Sequence, residues 1–337
     1  CPAGAGRKQY NLHFINTPTQ LSNAIGDTPP IIDKYGLIYV IDEDMAAVKA
    51  DPEKAVPLVI RANVYDCVDL LLTSEWDDDD FTNFQMSKVN IHPHFFQFDN
   101  QASDGVISGF SYDQSMRSYR QFDKKMKDGH HVGMPVPMNA KLLKATKPGD
   151  KTIEIEMAHH STPYHVGADI MVGIEVPNGK DARWITSISP DPSKGFAKDH
   201  KYKITFSEGM THAHKAGQIV STEFVRYRWW VDVDLGLVFW HDHAFGATTW
   251  PHGGIGSTIV EPWGSTYHDP KTGEQIRSGV VADIHGTEPF AYGRNGSFRE
   301  LVAQLHDTVP HTAQLVTAGN PPGLSRENAI AAGQSIS

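Results

Sequence analysis

Two His-x-His pairs are the residues of this chain whose types and spacing best suit chemistry. His92-Pro93-His94 lies in VNIHPHFFQFDNQASDG, and His241-Asp242-His243 lies in LGLVFWHDHAFGATTW. On a β-strand, side chains two apart share a face. Both imidazoles of a pair would then project together from backbone positions roughly 7 Å apart, two strand rises. That spacing suits two neighbouring metals better than one tetrahedral ion. Imidazole nitrogen suits copper, zinc, iron and nickel. The flanks are strand-like: Val89 and Ile91 before the first pair, Phe95, Phe96 and Phe98 after it, and Val238, Phe239 and Trp240 before the second.

The elements that must hold these pairs read as mostly β. Residues 56–75 suggest two short strands around a turn at Asn63, and EWDDDDF (75–81) an acidic loop. Between Lys151 and Val225 come strand-length runs such as TIEIEM, ADIMVGIEV, ARWITSIS and YKITFSE, separated by turns. VRYRWWVDVDLGLVFW leads into the second pair, and GGIGSTIVEP closes a domain with a Gly-rich strand. The chain has 337 residues, enough for two or three domains. Hydrophobic residues make up 39% and charged residues 21%, so a packed core is expected throughout. A net charge of −10 argues against nucleic acid and against anionic membrane surfaces, and is compatible with attracting small cations. No stretch reaches the length of a membrane span. The sequence begins at Cys1, without an initiator Met or a signal peptide, and reads as a processed chain or a piece of a longer one. Two cysteines are too few for a disulfide-dense scaffold.

IHPHFFQFDNQASDG followed by FWHDHAFG resembles the first trinuclear half-site of the multicopper oxidases, in which paired His-x-His strands sit in a cupredoxin domain. The likeness is strongest to the large bacterial members implicated in Mn(II) oxidation. It extends to CPAG, ASDGVISGFSYDQS, HKAGQIVSTEFVRYRWW and EPWGSTYHDPKTGEQIRSG, and so covers most of residues 1–310. The resemblance implies an all-β, cupredoxin-like Greek-key sandwich built from 1–112 together with 226–264. It implies an insertion at 113–225 holding a small β-barrel, a linker at 265–295, and the start of a further cupredoxin-like domain at 296–337. It implies that His92 is a ligand of the type 2 copper. His94 and His241 would bind one type 3 copper, and His243 the other. Asp104 would be the carboxylate behind the type 2 copper that helps to move protons. The activity implied is oxidation of a metal ion, Mn(II) or Fe(II), or of a small organic reductant, coupled to reduction of dioxygen to water. A protein of that kind is expected to be secreted, periplasmic or at the cell surface. Disulfides persist there, so Cys1 and Cys67 could pair; a buried free thiol at Cys67 is equally ordinary.

The departures from the family are informative. The interval between the His pairs is longer than in ordinary laccases. Four histidines are half of the family's usual eight, and the His-Cys-His strand of the final domain is absent. A blue-copper site needs a thiolate with two imidazoles, and Cys67 lies too early in its domain to supply it. The type 1 copper and the other ligands are therefore expected from another domain or subunit. Two readings stand beside this one: a mononuclear metal β-barrel enzyme of the cupin type, and a non-catalytic cupredoxin module in a larger assembly. Cupins follow His-x-His closely with Glu, whereas here Phe95, Phe96, Gln97, Phe98 and Asp99 follow. Copper nitrite reductase is a poorer rival without its type 1 motif.

Other candidates carry bland readings. His212-Ala213-His214 is expected in a solvated loop, and His159-His160 with His165 on a surface. His252 is open between supporting the second pair and playing no part in it. Asp77 to Asp80 form a charge run that is expected to be solvated, though its oxygens could gather Mn(II) or Ca²⁺. Met134 and Met138 are expected to pack.

Overall fold

The structure, a computed structural model, describes residues 1–76, 88–106, 114–120, 139–157, 164–286 and 297–304. Among these, strand accounts for 45% and helix for 10%. The chain is thus nearly all-β, as the alternating segments predict.

The described residues fall into two compact units. One lies within Cys1–Leu72, Asp78–Ser115 and Val225–Ser337, the other within Thr73–Asp77 and Met116–Phe224. The chain opens with β1 (Gly6–Asn16), β2 (Thr19–Ser22), β3 (Ile31–Asp33), β4 (Leu37–Ile41), β5 (Leu58–Asn63), β6 (Asp66–Ser74), β7 (His92–Pro93) and β8 (Gln97–Phe98). Next come β9 (Asn139–Leu142), β10 (Thr152–Met157), β11 (Asp169–Val172), β12 (Asp181–Ser189), β13 (Lys201–Phe206) and β14 (Ile219–Ser221). It continues with β15 (Val225–Trp230), β16 (Gly236–His241), β17 (Ile255–Glu261), β18 (Thr266–His268), β19 (Val281–His285) and β20 (Ser297–Leu301).

The first unit contains a five-stranded sheet, β4-β1-β6-β15-β8, and a four-stranded sheet, β5-β17-β16-β7. The expected turn near Asn63 exists at Val64–Tyr65, but its two strands belong to different sheets. The chain crosses from one sheet to the other there, because Val64 N–H donates to Glu261 O and Tyr65 N–H to Val231 O. Aromatic side chains fill the space between the sheets. Tyr39 of β4 meets Phe14 at 4.8 Å and Trp240 of β16 at 4.9 Å, both edge to face. Trp240 is fully buried. Opposite it in the ladder is Gly256, whose Cβ, had it one, would be 2.2 Å from the indole ring. Only glycine leaves room for that ring. Cys1 and Cys67 are disulfide-bonded, with Cα atoms 5.7 Å apart and 66 residues of separation. A loop of that length contributes about 2–4 kcal/mol.

The second unit is a closed barrel of order β10-β13-β12-β11-β14-β9. Its strands have period 2. Ile153, Ile155 and Met157 of β10 are buried between Thr152, Glu154 and Glu156, and Tyr202, Ile204 and Phe206 of β13 alternate with Lys201 and Lys203. These apolar rows meet in one core with Leu142, Ile170, Val172 and Val220. The barrel includes β9 and so begins by Asn139. The segment at 265–295, read from sequence as a linker, contributes β18 and β19. They form a three-stranded sheet with β20. Tyr267, Ala282 and Ile284 pack beneath that sheet, an apolar alternation too short to recognise among the polar residues around it. The expected further domain beyond residue 304 lies outside the described residues.

Candidate metal centre

A strand ladder, not the sequence, brings the two histidine pairs together. His92 opens β7 and His241 ends β16, and the two strands run antiparallel with His241 opposite His92 and Trp240 opposite Pro93. His94 and His243 lie just beyond their strands, in the irregular chain that follows. The expectation that each pair sits on one strand face is corrected here. The strands end at the first pair's proline and at the first histidine of the second pair. The imidazoles still converge. Ring centroids lie 4.9 Å apart for His92–His94, 5.5 Å for His92–His241, 5.2 Å for His92–His243, 5.2 Å for His94–His241 and 5.9 Å for His241–His243.

Local hydrogen bonds orient the rings. His92 Nδ1 is 2.7 Å from the Asp104 carbonyl oxygen and 2.9 Å from its carboxylate Oδ1. Both are acceptors, so Nδ1 carries the proton and Nε2 keeps its lone pair. His241 Nδ1 is 2.9 Å from the Asp242 carbonyl, which fixes the same tautomer. A backbone or carboxylate partner of this type is what a metal-ligating imidazole ordinarily has on its other nitrogen. Aromatic rings hold the remaining faces. Phe239 stacks on His94 at 4.2 Å, and Trp250 meets His241 edge-on at 4.7 Å while its indole N–H donates to Asp242 O.

The loops are held by residues that sequence reasoning passed over. Asp242, between the two histidines of its pair, points away from them into the protein and is fully buried. Its Oδ1 accepts from Asn90 N–H (3.0 Å) and Ala244 N–H (3.1 Å). Its Oδ2 accepts from Phe245 N–H (2.9 Å) and the Thr249 hydroxyl (2.8 Å). Asn90 Oδ1 in turn accepts from His243 N–H at 2.7 Å. Burial pushes the Asp242 carboxyl up, and this set of donors opposes the rise. The Gly of Ser-Asp-Gly has a steric reason. Gly105 has φ +74°, and a Cβ there would be 2.0 Å from the Ile91 carbonyl oxygen. That close approach is what sets Asp104 beside His92.

The electrostatics favour neutral rings at His94 and His241. Burial lowers His94, and the neighbouring His92 and His243 lower it further. Burial also pushes His241 down to about 4; the hydrogen bond to Asp242 O opposes, and His92, His94 and His243 add to the fall. Against this background His94 Nε2 and His241 Nε2 lie 3.1 Å apart. Two nitrogens each about 2.0–2.1 Å from one ion must lie within about 4 Å of each other, so this pair fits a shared cation. Among the described residues, no three His, Cys, Asp or Glu side chains converge on a single ion position. What the arrangement offers is imidazole nitrogens in pairs, a donor type that suits copper, zinc, iron and nickel.

The other candidates fall elsewhere. His252 is partnered by Asp33, with Nδ1 2.6 Å from Oδ2, both residues being buried. His214 is not in a solvated loop. It is buried, and its Nε2 is 2.8 Å from Asp181 Oδ2. Burial would raise the Asp181 carboxyl, but hydrogen bonds from His214, His212 N–H and Thr211 N–H hold it well below the usual range. The solvated reading missed it because the carboxylate partner is 33 residues away. His165 is exposed, as expected. Asp77 to Asp80, Met134, Met138, His159 and His160 lie outside the described residues.

No family model matches the chain, and no curated protein matches it. Similar solved structures are copper oxidoreductases. A multicopper oxidase from Pseudomonas thermotolerans has a TM-score of 0.29 at 10% identity, covering 77% of this chain and 30% of that one. The multicopper oxidase mgLAC has a TM-score of 0.31 at 9% identity, covering 77% and 40%. The copper nitrite reductase from Nitrosomonas europaea has a TM-score of 0.20 at 12% identity, covering 80% and 97%. This chain thus spans less than half the length of either multicopper oxidase. No helix among the described residues is long and apolar enough to cross a membrane.

Proposed function

We propose that this chain contributes half of a trinuclear copper cluster in a multicopper oxidase. The reaction would couple one-electron oxidation of a metal ion, Mn(II) or Fe(II), or of a small organic reductant, to four-electron reduction of dioxygen to water. The observation that carries the proposal is the facing of His94 Nε2 and His241 Nε2 at 3.1 Å. They are the two imidazoles that the family resemblance assigns to a single type 3 copper. His92, turned by Asp104, would serve the type 2 copper, and His243 the second type 3 copper.

Copper held there would supply the one-electron steps that dioxygen reduction needs. The chain's own residues prepare the site for it. The Asp104 and Asp242 carbonyls keep protons on the outer nitrogens of His92 and His241, so the inner lone pairs are ready before metal arrives. Phe239 and Trp250 cover His94 and His241 and limit water around them. Asp104 Oδ1, at the His92 ring, can hold a proton and release it as oxygen is reduced. The remaining ligands and the type 1 copper would come from another domain or subunit. The Cys1–Cys67 disulfide agrees with a secreted, periplasmic or cell-surface location.

Copper content and oxygen uptake of the native protein, with whatever else it assembles with, test this reading. Three coppers in the cluster and oxygen uptake driven by a reductant are expected. A single zinc, iron or manganese would favour the mononuclear alternative, and no metal at all the non-catalytic module.

A further inference from the structure

The two imidazoles whose outer nitrogens are tied back are not tied equally. His92 Nδ1 has two acceptors to itself, the Asp104 carbonyl oxygen at 2.7 Å and the carboxylate Oδ1 at 2.9 Å. His241 Nδ1 has one, the Asp242 carbonyl at 2.9 Å, and it shares that oxygen. The Trp250 indole N–H donates to the same atom at 2.5 Å. A carbonyl has two lone pairs and can take both donors, but each donor draws density that the other would use. A hydrogen bond from the outer nitrogen raises the basicity of an imidazole as a ligand. His92 therefore receives more of this help than His241.

Burial does not drive Trp250 to this carbonyl. The residue is 39% exposed, and water can serve an indole N–H at a surface. The local fold puts it there. Gly246 admits the ring, since a Cβ at that position would lie 2.6 Å from the indole. Gly253 N–H donates back to Trp250 O at 3.1 Å. Two residues beyond Trp250, His252 is pinned: its Nδ1 is 2.6 Å from Asp33 Oδ2, and both side chains are 1% exposed. Asp33 Oδ1 also accepts from Tyr35 N–H at 2.9 Å. Asp33 ends β3, so this buried pair moors the turns at 246–252 to a strand 219 residues away in sequence.

We propose that Trp250 is a positioning residue of the metal centre: it takes part of the Asp242 carbonyl and so makes His241 a weaker electron donor than His92, and the Asp33–His252 pair holds it in place. The consequence rests on the copper reading. A poorer donor favours the lower oxidation state of an ion, so His241 biases the ion it shares with His94 toward the reduced form. The hydrogen-bond relation behind it belongs to the protein alone and is measured without metal.

Nitrogen NMR of the metal-free full chain provides the test. The one-bond N–H coupling of a ring nitrogen falls in magnitude as its hydrogen bond strengthens, and ring currents barely affect it. In the wild-type protein the Nδ1–H coupling should be larger for His241 than for His92. Trp250→Phe keeps an aromatic ring beside His241 and removes the indole N–H. The His241 coupling should then fall toward that of His92, its Nε2 resonance should shift as the lone pair gains density, and His92 should not change. His252→Leu, which cuts the mooring, should move His241 the same way; an unmoved His241 there would overturn the part given to Asp33 and His252. The wild-type comparison stands even if a variant misfolds. A His241 coupling no larger than that of His92, or one unmoved in Trp250→Phe, would overturn the proposal. Copper content, measured separately, decides the copper reading.

Discussion

Asn90 and Asp242 clasp the two histidine pairs to one another. The backbone N–H of Asn90 donates to Asp242 Oδ1 at 3.0 Å, and the Asn90 side chain accepts from His243 N–H at 2.7 Å. One residue lies two positions before His92 and the other one before His243, so each pair is positioned by its neighbour's chain. Asp242→Asn replaces one acceptor oxygen with a donor, leaving buried N–H groups unmatched. It should destabilise the protein by about 1–3 kcal/mol, the usual cost of an unsatisfied buried polar group. Asn90→Ala should act on the same clasp, so the double variant should lose less than the sum of the two. Urea denaturation of the three variants measures this.

His92→Ala removes the imidazole that is turned by Asp104. The protein should lose the type 2 copper signal in electron paramagnetic resonance and lose oxygen reduction. Any type 1 colour elsewhere in the assembly should persist. Full copper content together with full oxygen uptake in this variant would rule out the ligand assignment.

Asp104→Asn keeps the backbone carbonyl that His92 Nδ1 bonds at 2.7 Å. The ring should stay oriented and copper content should hold. Turnover should fall by about 10²-fold or more, as when a positioned proton donor is lost. Steady-state oxygen uptake on copper-replete protein gives the comparison.

Away from the centre, a buried carboxyl sets a pH dependence. Burial raises Glu261, Glu300 and Asp234 add to the rise, and Arg61 opposes it, leaving the group at about 8. In an unfolded chain Glu titrates at its ordinary value, about 4.3. Between those values the folded protein keeps a proton that the unfolded chain has released, so stability falls as pH rises through the window. Glu261→Gln should flatten that slope and stabilise the protein most on the alkaline side of the window. Urea midpoints across the pH range, for both proteins, report it.

Much of this was legible in the chain because the signals were local. Period-2 runs such as TIEIEM and YKITF gave strands, and the His-x-His spacing picked out the four imidazoles that now stand together. What was hidden depends on partners far away in sequence. Asn90 and Asp242 are 152 residues apart, and nothing in either neighbourhood marks them as a pair. Asp242 offered one hint: a carboxylate in an apolar strand context must find several donors or be expelled. His214 was misplaced for the same reason, its carboxylate partner being on another strand. The strands at 266–268 and 281–285 were missed because their apolar positions are few and mixed with polar ones.

Within the four-stranded sheet, β7 is the outermost strand among the described residues and is only two residues long. One of those residues is Pro93, which has no N–H to offer, and the chain turns at Phe95 with φ +68°. Phe95 is 73% exposed and Phe239 49% exposed beside the imidazoles. A face this apolar invites unwanted strand-to-strand pairing between molecules, and a long, regular edge would have served as its template. Here the edge stops before it can act as one. The arrangement leaves aromatic surface exposed beside the histidines while giving stray chains no ladder to extend.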